Sequence, residues 1–197
     1  MIGYSGLAHA EPTVLIQTSR GNITVELDRA DAPKTVDNFV RYVTEGHYDG
    51  TLVYRIAPGF VIQAGSYDSA TNSRSVHEPI HLEAGNGLSN IRGTIAMARE
   101  SEPDSATAEF FINLGNNTGL DRQVGDADGT TGYAVFGRVV SGMDVVDKIA
   151  AVPVGNGGPM PAQWPQTSVT IQKISIVAST AVPSTPNTPP TGPPLAQ

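Results

Sequence analysis

The stretch Val53-Tyr54-Arg55-Ile56-Ala57-Pro58-Gly59-Phe60-Val61-Ile62-Gln63-Ala64-Gly65 sets one arginine and one glutamine among apolar residues at strand spacing. A guanidinium amid Val, Ile and Phe is costly unless something uses it. Arginine stays charged and carries several fixed N–H donors, so the chemistry it offers is directed hydrogen-bond donation. Gln63 alternates in phase with Val61, and both share a face with the strand neighbours of Arg55. Without its flanks, Arg55 reads as an arginine paired to a backbone carbonyl. A second informative stretch is Arg92-Gly93-Thr94-Ile95-Ala96-Met97-Ala98-Arg99, followed by Ser105-Ala106-Thr107-Ala108-Glu109-Phe110-Phe111-Ile112-Asn113.

Other chemistry-bearing clusters are weaker. His77-x-x-x-His81-x-Glu83 holds three donors of the kind that bind catalytic zinc. Spacing of i,i+4 brings two histidines together only on a helix, and Pro79 lies between them, so no metal is expected. Asp126-x-Asp128-Gly129 has the start of a calcium loop without its later ligands and reads as a solvated turn. Ser105 and Thr107 have no evident His/Asp partners, which leaves a hydrolase unsupported. Gly85-Asn86-Gly87 is a turn with no lysine in phosphate-loop position. The chain has no cysteine, so a disulfide, a thiolate metal site and a cysteine nucleophile are all excluded.

Taken together, the two long stretches resemble the cyclophilin family of peptidyl-prolyl isomerases, closest to its periplasmic bacterial branch. The resemblance runs from about Val14 to Val177. It implies rotation about the bond preceding proline, a reaction that breaks no covalent bond and needs no cofactor. By that resemblance Arg55, Phe60 and Gln63 are the catalytic residues. Arg55 would donate to the lone pair that the proline nitrogen gains as the amide twists, and Gln63 would hold substrate backbone and orient the arginine. Phe60, Val61, Phe111, Leu120 and Tyr133 would form the apolar pocket. Ala98 and Arg99 stand at the two positions that hydrogen-bond the substrate backbone, much as an added strand would. Glu109 joins the substrate-binding set. The partners implied are proline-containing peptides and unfolded protein clients, with the protein acting as a monomer that assists folding.

Several positions depart from the best-known family pattern. Tyr54 stands where histidine is common, Val61 where methionine is, Arg99 where asparagine is, and Glu109 where glutamine is. Tyr133 replaces a histidine, as in bacterial periplasmic members. Gly119 occupies the place of a tryptophan or phenylalanine that borders the pocket and supports cyclosporin binding, so weak cyclosporin binding is expected. Glu109 has two readings: a carboxylate that pairs with Arg55 and draws its donors from substrate, or a solvent-facing residue at a strand end. Glu109, Arg99 and Gly119 together keep a second function open, a proline-peptide-binding module or holdase with feeble catalysis.

The elements that must position these residues are short. Val14–Thr18 and Ile23–Leu27 alternate apolar residues around Ser19-Arg20-Gly21-Asn22 and read as a hairpin. A helix opens at Asp31-Ala32-Pro33, with Val36, Phe39, Val40 and Val43 on one face and a stop at Glu45-Gly46. Strands are expected at Leu52–Ile56, Phe60–Gln63, Ile95–Ala98, Phe110–Leu114, Ala134–Val139 and Val169–Val177. A second helix is expected at Asp144–Ala150, and a loop over Gly65–Asn90. Many short strands with tight turns point to an all-β protein. Composition does not separate a barrel from a sandwich; the resemblance implies a closed eight-stranded antiparallel barrel capped by two helices.

The 197 residues suit one domain with tails. We divide them into a leader at 1–12, the isomerase-like domain at 13–177 and a Pro/Thr/Ser-rich, disordered tail at 178–197. The tail, with Thr188-Pro189-Pro190-Thr191-Gly192-Pro193-Pro194, also offers a partner-binding segment. The net charge of −7 shows no basic footprint for nucleic acid, and no apolar run reaches the roughly 18 residues that span a membrane. Ala8-His9-Ala10 before Glu11-Pro12 reads like the end of a signal peptide, which implies a periplasmic location, although no basic and long apolar segment precedes it. The alternative is a leader without a targeting role in a cytoplasmic protein.

Overall fold

The computed structural model describes residues 11–127 and 129–177. The leader at 1–10, the tail at 178–197 and Asp128 of the calcium-loop fragment lie outside the described residues. In chain order the elements are β1 (Thr13–Thr18), β2 (Gly21–Leu27), α1 (Pro33–Thr44), β3 (Thr51–Ala57), β4 (Val61–Asp68), β5 (Thr94–Met97) and β6 (Phe110–Asn113). A short 3-10 turn (Thr118–Leu120) follows, then β7 (Val135–Ser141), α2 (Met143–Ala150), β8 (Val154–Gly155), β9 (Trp164–Pro165) and β10 (Thr170–Val177).

Eight strands close into a barrel in the order β1-β10-β3-β4-β6-β5-β7-β2, and every pairing is antiparallel. Closure leaves the barrel sheet without an unpaired edge strand. The expected architecture is therefore observed. Two elements were not expected from the sequence: β8 and β9 form a separate two-stranded sheet beside the barrel.

Strand alternation sorts the side chains into two apolar groups. Ile56, Ile62, Ala64, Ile95, Met97, Phe110, Ile112 and Phe136 belong to the interior, together with Val36 and Phe39 of α1 and Val146 and Ile149 of α2. Their neighbours in sequence, Ala57, Val61, Ala96, Ala98, Phe111 and Val135, make a second buried cluster on the outer wall. An outward strand position is normally polar. Here the outer residues are covered by the partly buried Phe60, Leu88, Leu120 and Tyr133.

The stretch expected as loop from Gly65 begins as strand, because β4 runs on to Asp68. Gly65 adopts φ 117°, and a Cβ there would fall 2.7 Å from the Ala108 carbonyl oxygen, so only glycine lets β4 pass so close to the 108–109 segment. The three donors of the histidine motif go to different places. His77 pairs with Glu45, His81 with Asp104, and Glu83 caps α1 by accepting from the Lys34 N–H, the Thr35 N–H and the Thr35 hydroxyl at 3.1, 2.8 and 2.8 Å. That cap serves a helix whose own N-cap, Ala32, has no side-chain acceptor.

Candidate active site

The register of β3, β4, β6 and β5 places Arg55 opposite Gln63, Gln63 opposite Phe111, and Phe111 opposite Ala96. One row of the outer wall thus runs across four strands. Plain alternation would put Arg55 with Val53 and Ala57 on one face. The register shifts between Val53 and Arg55, so Tyr54 is an extra residue in β3. Val53 faces the interior while Ala57 joins the outer cluster. A bulge re-aims the side chains beside it; here both Tyr54 and Arg55 reach Gln63. The turn into β4 closes with the Phe60 N–H on the Ala57 carbonyl at 2.9 Å, and Gly59 supplies its φ of 75°.

Arg55, Phe60, Val61, Gln63, Ala98, Arg99, Phe111, Leu120 and Tyr133 line one cavity of about 140 Å³. These are nine of the ten site residues expected from the sequence; Glu109 is not in its lining. Arg55 Nε donates to Gln163 Oε1 at 2.6 Å and Nη1 donates to Gln63 Oε1 at 3.0 Å. Its carbon lies 5.9 Å from the Phe60 ring centre. Nη2 has no partner among the described residues, and no carboxylate lies within ion-pair distance of the guanidinium. Both anchors are neutral amide oxygens, so the positive charge and three of the five N–H groups remain available on the cavity side.

Neither expectation for Glu109 describes its position. It does not pair with Arg55 and it is not a free solvent-facing residue. Its carboxylate accepts from the Tyr54 hydroxyl at 2.8 Å, from Gln63 Nε2 at 2.9 Å and from the Ser66 hydroxyl. Gln63 Nε2 also donates to the Tyr54 hydroxyl. With its nitrogen committed to that side, the Gln63 amide must turn its oxygen to Arg55. Burial, then the Glu109 charge, push the Tyr54 hydroxyl well above the usual tyrosine range, so it stays a donor.

The Arg99 side chain is committed to backbone acceptors. The guanidinium donates to the carbonyls of Gly132, Glu100, Ser101 and Thr130 and lies 5.1 Å from the Tyr133 ring centre. It ties the 130–133 segment to the 99–101 segment rather than reaching into the cavity as a free cation. The Ala98 carbonyl and the backbone N–H and carbonyl of Arg99 have no partner among the described residues. They are the groups that an extended peptide could pair with.

The far wall is a loop stapled at both ends. The Tyr133 N–H bonds to the Leu120 carbonyl at 2.9 Å, and the Tyr133 ring meets Phe111 edge-on at 5.7 Å. Inside the loop the Asp126 carboxylate accepts from the Thr131 N–H and hydroxyl, which pull its pKa down to about 2. Burial raises the neighbouring Asp121 carboxyl, but bonds from Ser89 and Asn90 outweigh it and hold the group below the usual range.

Residues 13–176 match the family model described as cyclophilin type peptidyl-prolyl cis-trans isomerase/CLD. The chain belongs to this family. It is 48% identical over 164 residues to peptidyl-prolyl cis-trans isomerase A of Dickeya dadantii, covering 83% of this chain and 84% of that one. It is 43% identical over 163 residues to peptidyl-prolyl cis-trans isomerase B of Escherichia coli, covering 83% and 98%. A crystal structure of a cyclophilin-type isomerase from Cryptosporidium parvum shares the fold, with a TM-score of 0.72 at 23% identity over 85% of this chain and 98% of that one.

Within this cyclophilin, the sequence reading missed Gln163. No motif announces it: the residue lies 108 positions from Arg55 in a segment without periodicity. It also missed Tyr54 and Ser66 as partners of Glu109. At Gly119, a Cβ would meet no atom within 4 Å, so the wall beside Leu120 is open at that point.

Proposed function

We propose that the chain accelerates cis–trans rotation about Xaa-Pro bonds in peptides and unfolded proteins, with Arg55 stabilising the twisted amide. The observation that carries this reading is the state of Arg55: a guanidinium that among the described residues is anchored by two amide oxygens, in a cavity it shares with Phe60, Val61, Phe111 and Leu120. The uncatalysed barrier is about 18–20 kcal/mol. A turnover of about 10³ per second requires lowering it by roughly 7 kcal/mol. As the amide twists, the proline nitrogen becomes pyramidal and its lone pair becomes an acceptor, which the planar ground state lacks. A donor aimed there acts on the transition state alone. One charge-assisted hydrogen bond contributes about 1.5–3 kcal/mol. The rest comes from the environment and the grip. Phe60, Phe111 and Leu120 favour the less polar twisted amide, and the free backbone groups at Ala98 and Arg99 hold the flanking segment.

Protease-coupled isomerisation of short Xaa-Pro peptides tests the activity. Fast turnover in the parent and a large loss in Arg55→Ala support it; background rates in a folded parent would make the chain a binding module. That second reading gains nothing from Glu109 or Arg99, since neither neutralises Arg55. Cyclosporin binding is weak in this account because the wall is open at Gly119. Gly119→Trp is expected to bind cyclosporin more tightly in titration calorimetry; a nanomolar dissociation constant for the parent would contradict this. Export to the periplasm rests on Ala8-His9-Ala10 and is tested by cell fractionation; action as a monomer is tested by sedimentation.

A further inference from the structure

The loop from Asn156 to Gln163 joins β8 to β9 and crosses beside β3. The Ile56 N–H donates to the Gln163 carbonyl at 2.9 Å, so the loop backbone is fixed to the strand position next to Arg55. From there the Gln163 side chain turns back and accepts from Arg55 Nε at 2.6 Å. The residue before it, Ala162, is held at φ 65°, a left-handed conformation that a non-glycine residue adopts at a cost. Bonds on both sides hold it there: the Ala162 N–H donates to Asn156 Oδ1 at 3.2 Å and the Gln163 N–H donates to the Met160 carbonyl at 3.2 Å. Backbone strain retained beside a reactive group points to a functional constraint.

We propose that Gln163 is a positioning residue for the isomerisation, holding Arg55 through Nε so that its Nη groups face the cavity. The inference rests on the assignment of Arg55 above. An arginine side chain with one anchor, at Gln63, still swings about it; a second acceptor at Nε fixes the plane of the guanidinium. The choice of an amide matters. A carboxylate at this place would take two N–H groups at once and offset the charge. An amide oxygen takes one and leaves the charge in place. Gln163 is not among the residues that line the cavity. Its effect is therefore confined to the geometry of Arg55, and misplacement by about 1 Å can cost on the order of 100-fold in rate.

The test uses the full chain with Gln163→Met, which keeps length and removes the acceptor, beside Arg55→Ala. Three readouts are compared: turnover at saturating peptide, peptide dissociation constant, and the nuclear magnetic resonance signal of the Arg55 Nε–H. Trp164, the single tryptophan of the chain, adjoins Gln163 and reports through its emission whether the loop is intact. The expected result for Gln163→Met is turnover lower by roughly 10- to 100-fold, an unchanged dissociation constant, loss of the Nε–H signal to solvent exchange, and parental Trp164 emission. Parental turnover in Gln163→Met with an inactive Arg55→Ala overturns the positioning role and leaves the Arg55 assignment standing. Full activity in Arg55→Ala overturns both. Lost turnover together with shifted Trp164 emission or weakened peptide binding overturns positioning in favour of a general structural role.

Discussion

Glu109 shows how one carboxylate can serve an arginine without touching it. It gathers Tyr54, Gln63 and Ser66, and the amide of Gln63 passes the resulting orientation to Arg55. Glu109→Gln is expected to keep turnover within about threefold, because an amide can accept from Tyr54 while the Ser66 hydroxyl reorients. Glu109→Leu leaves the Tyr54 hydroxyl and the Gln63 nitrogen short of an acceptor, and is expected to destabilise the fold by about 1–3 kcal/mol in denaturant titration and to lower turnover. Equal effects of the two variants would show that the network is not what orients Gln63. Tyr54 adds a pH statement. Its folded ionisation lies above the unfolded one, so its contribution to stability is complete below about pH 10 and declines as pH rises beyond it. The pH–rate profile is expected to show no Tyr54 inflection near pH 10, and an inflection there that disappears in Tyr54→Phe would contradict this. At this scale the lining was legible through the family resemblance, while strand alternation by itself adds that Val61 and Gln63 share a face. The sequence did not disclose who binds Glu109, because that depends on the bulge at Tyr54, which breaks the alternation.

The elements around the site divide into strands that carry it and loops that wall it. The wall from Asp121 to Gly132 contains little apolar material and is held by side-chain acceptors, chiefly Asp126 on Thr131. The Asp126 group is depressed to about 2 in the folded chain, so its contribution to stability is present above about pH 4 and is lost as pH falls through about 2. Asp126→Asn is expected to melt below the parent at neutral pH, with the difference shrinking as the two are compared from pH 4 downwards. It is also expected to weaken peptide binding more than turnover, since Leu120 and Tyr133 at the loop ends shape the cavity while Arg55 sits on the opposite side. A melting difference that stays constant to pH 2 would rule out the carboxylate as the staple. Periodic strands and the helix at Pro33 were legible from alternation and from helix spacing. The β8–β9 sheet was not, because two-residue strands have no period to read, and its segment is punctuated by glycine and proline.

The whole molecule is a barrel closed between Thr13 and Val177, the first and last residues of the β1–β10 pairing. All eight barrel strands lie inside that span, so deletion of Ala178–Gln197 is expected to leave the melting temperature unchanged; a large fall would show that the tail contributes to the fold. The closed eight-stranded form was legible only through the family resemblance, since short strands and turns are common to barrels and sandwiches. What closure provides is a rigid wall on which Arg55, Gln63, Phe111 and Ala96 keep one row across four strands. The central claim is that this wall holds Arg55 for the twisted amide and not for the bound peptide. The most direct measurement is exchange spectroscopy of a bound Xaa-Pro peptide, giving its cis–trans rate on the protein and its dissociation constant for parent and Arg55→Ala. The expected outcome is a rate lower by about 10- to 150-fold, the equivalent of one charge-assisted hydrogen bond, with the dissociation constant within about twofold. An unchanged rate, or a loss of affinity that accounts for the whole effect, would contradict the account.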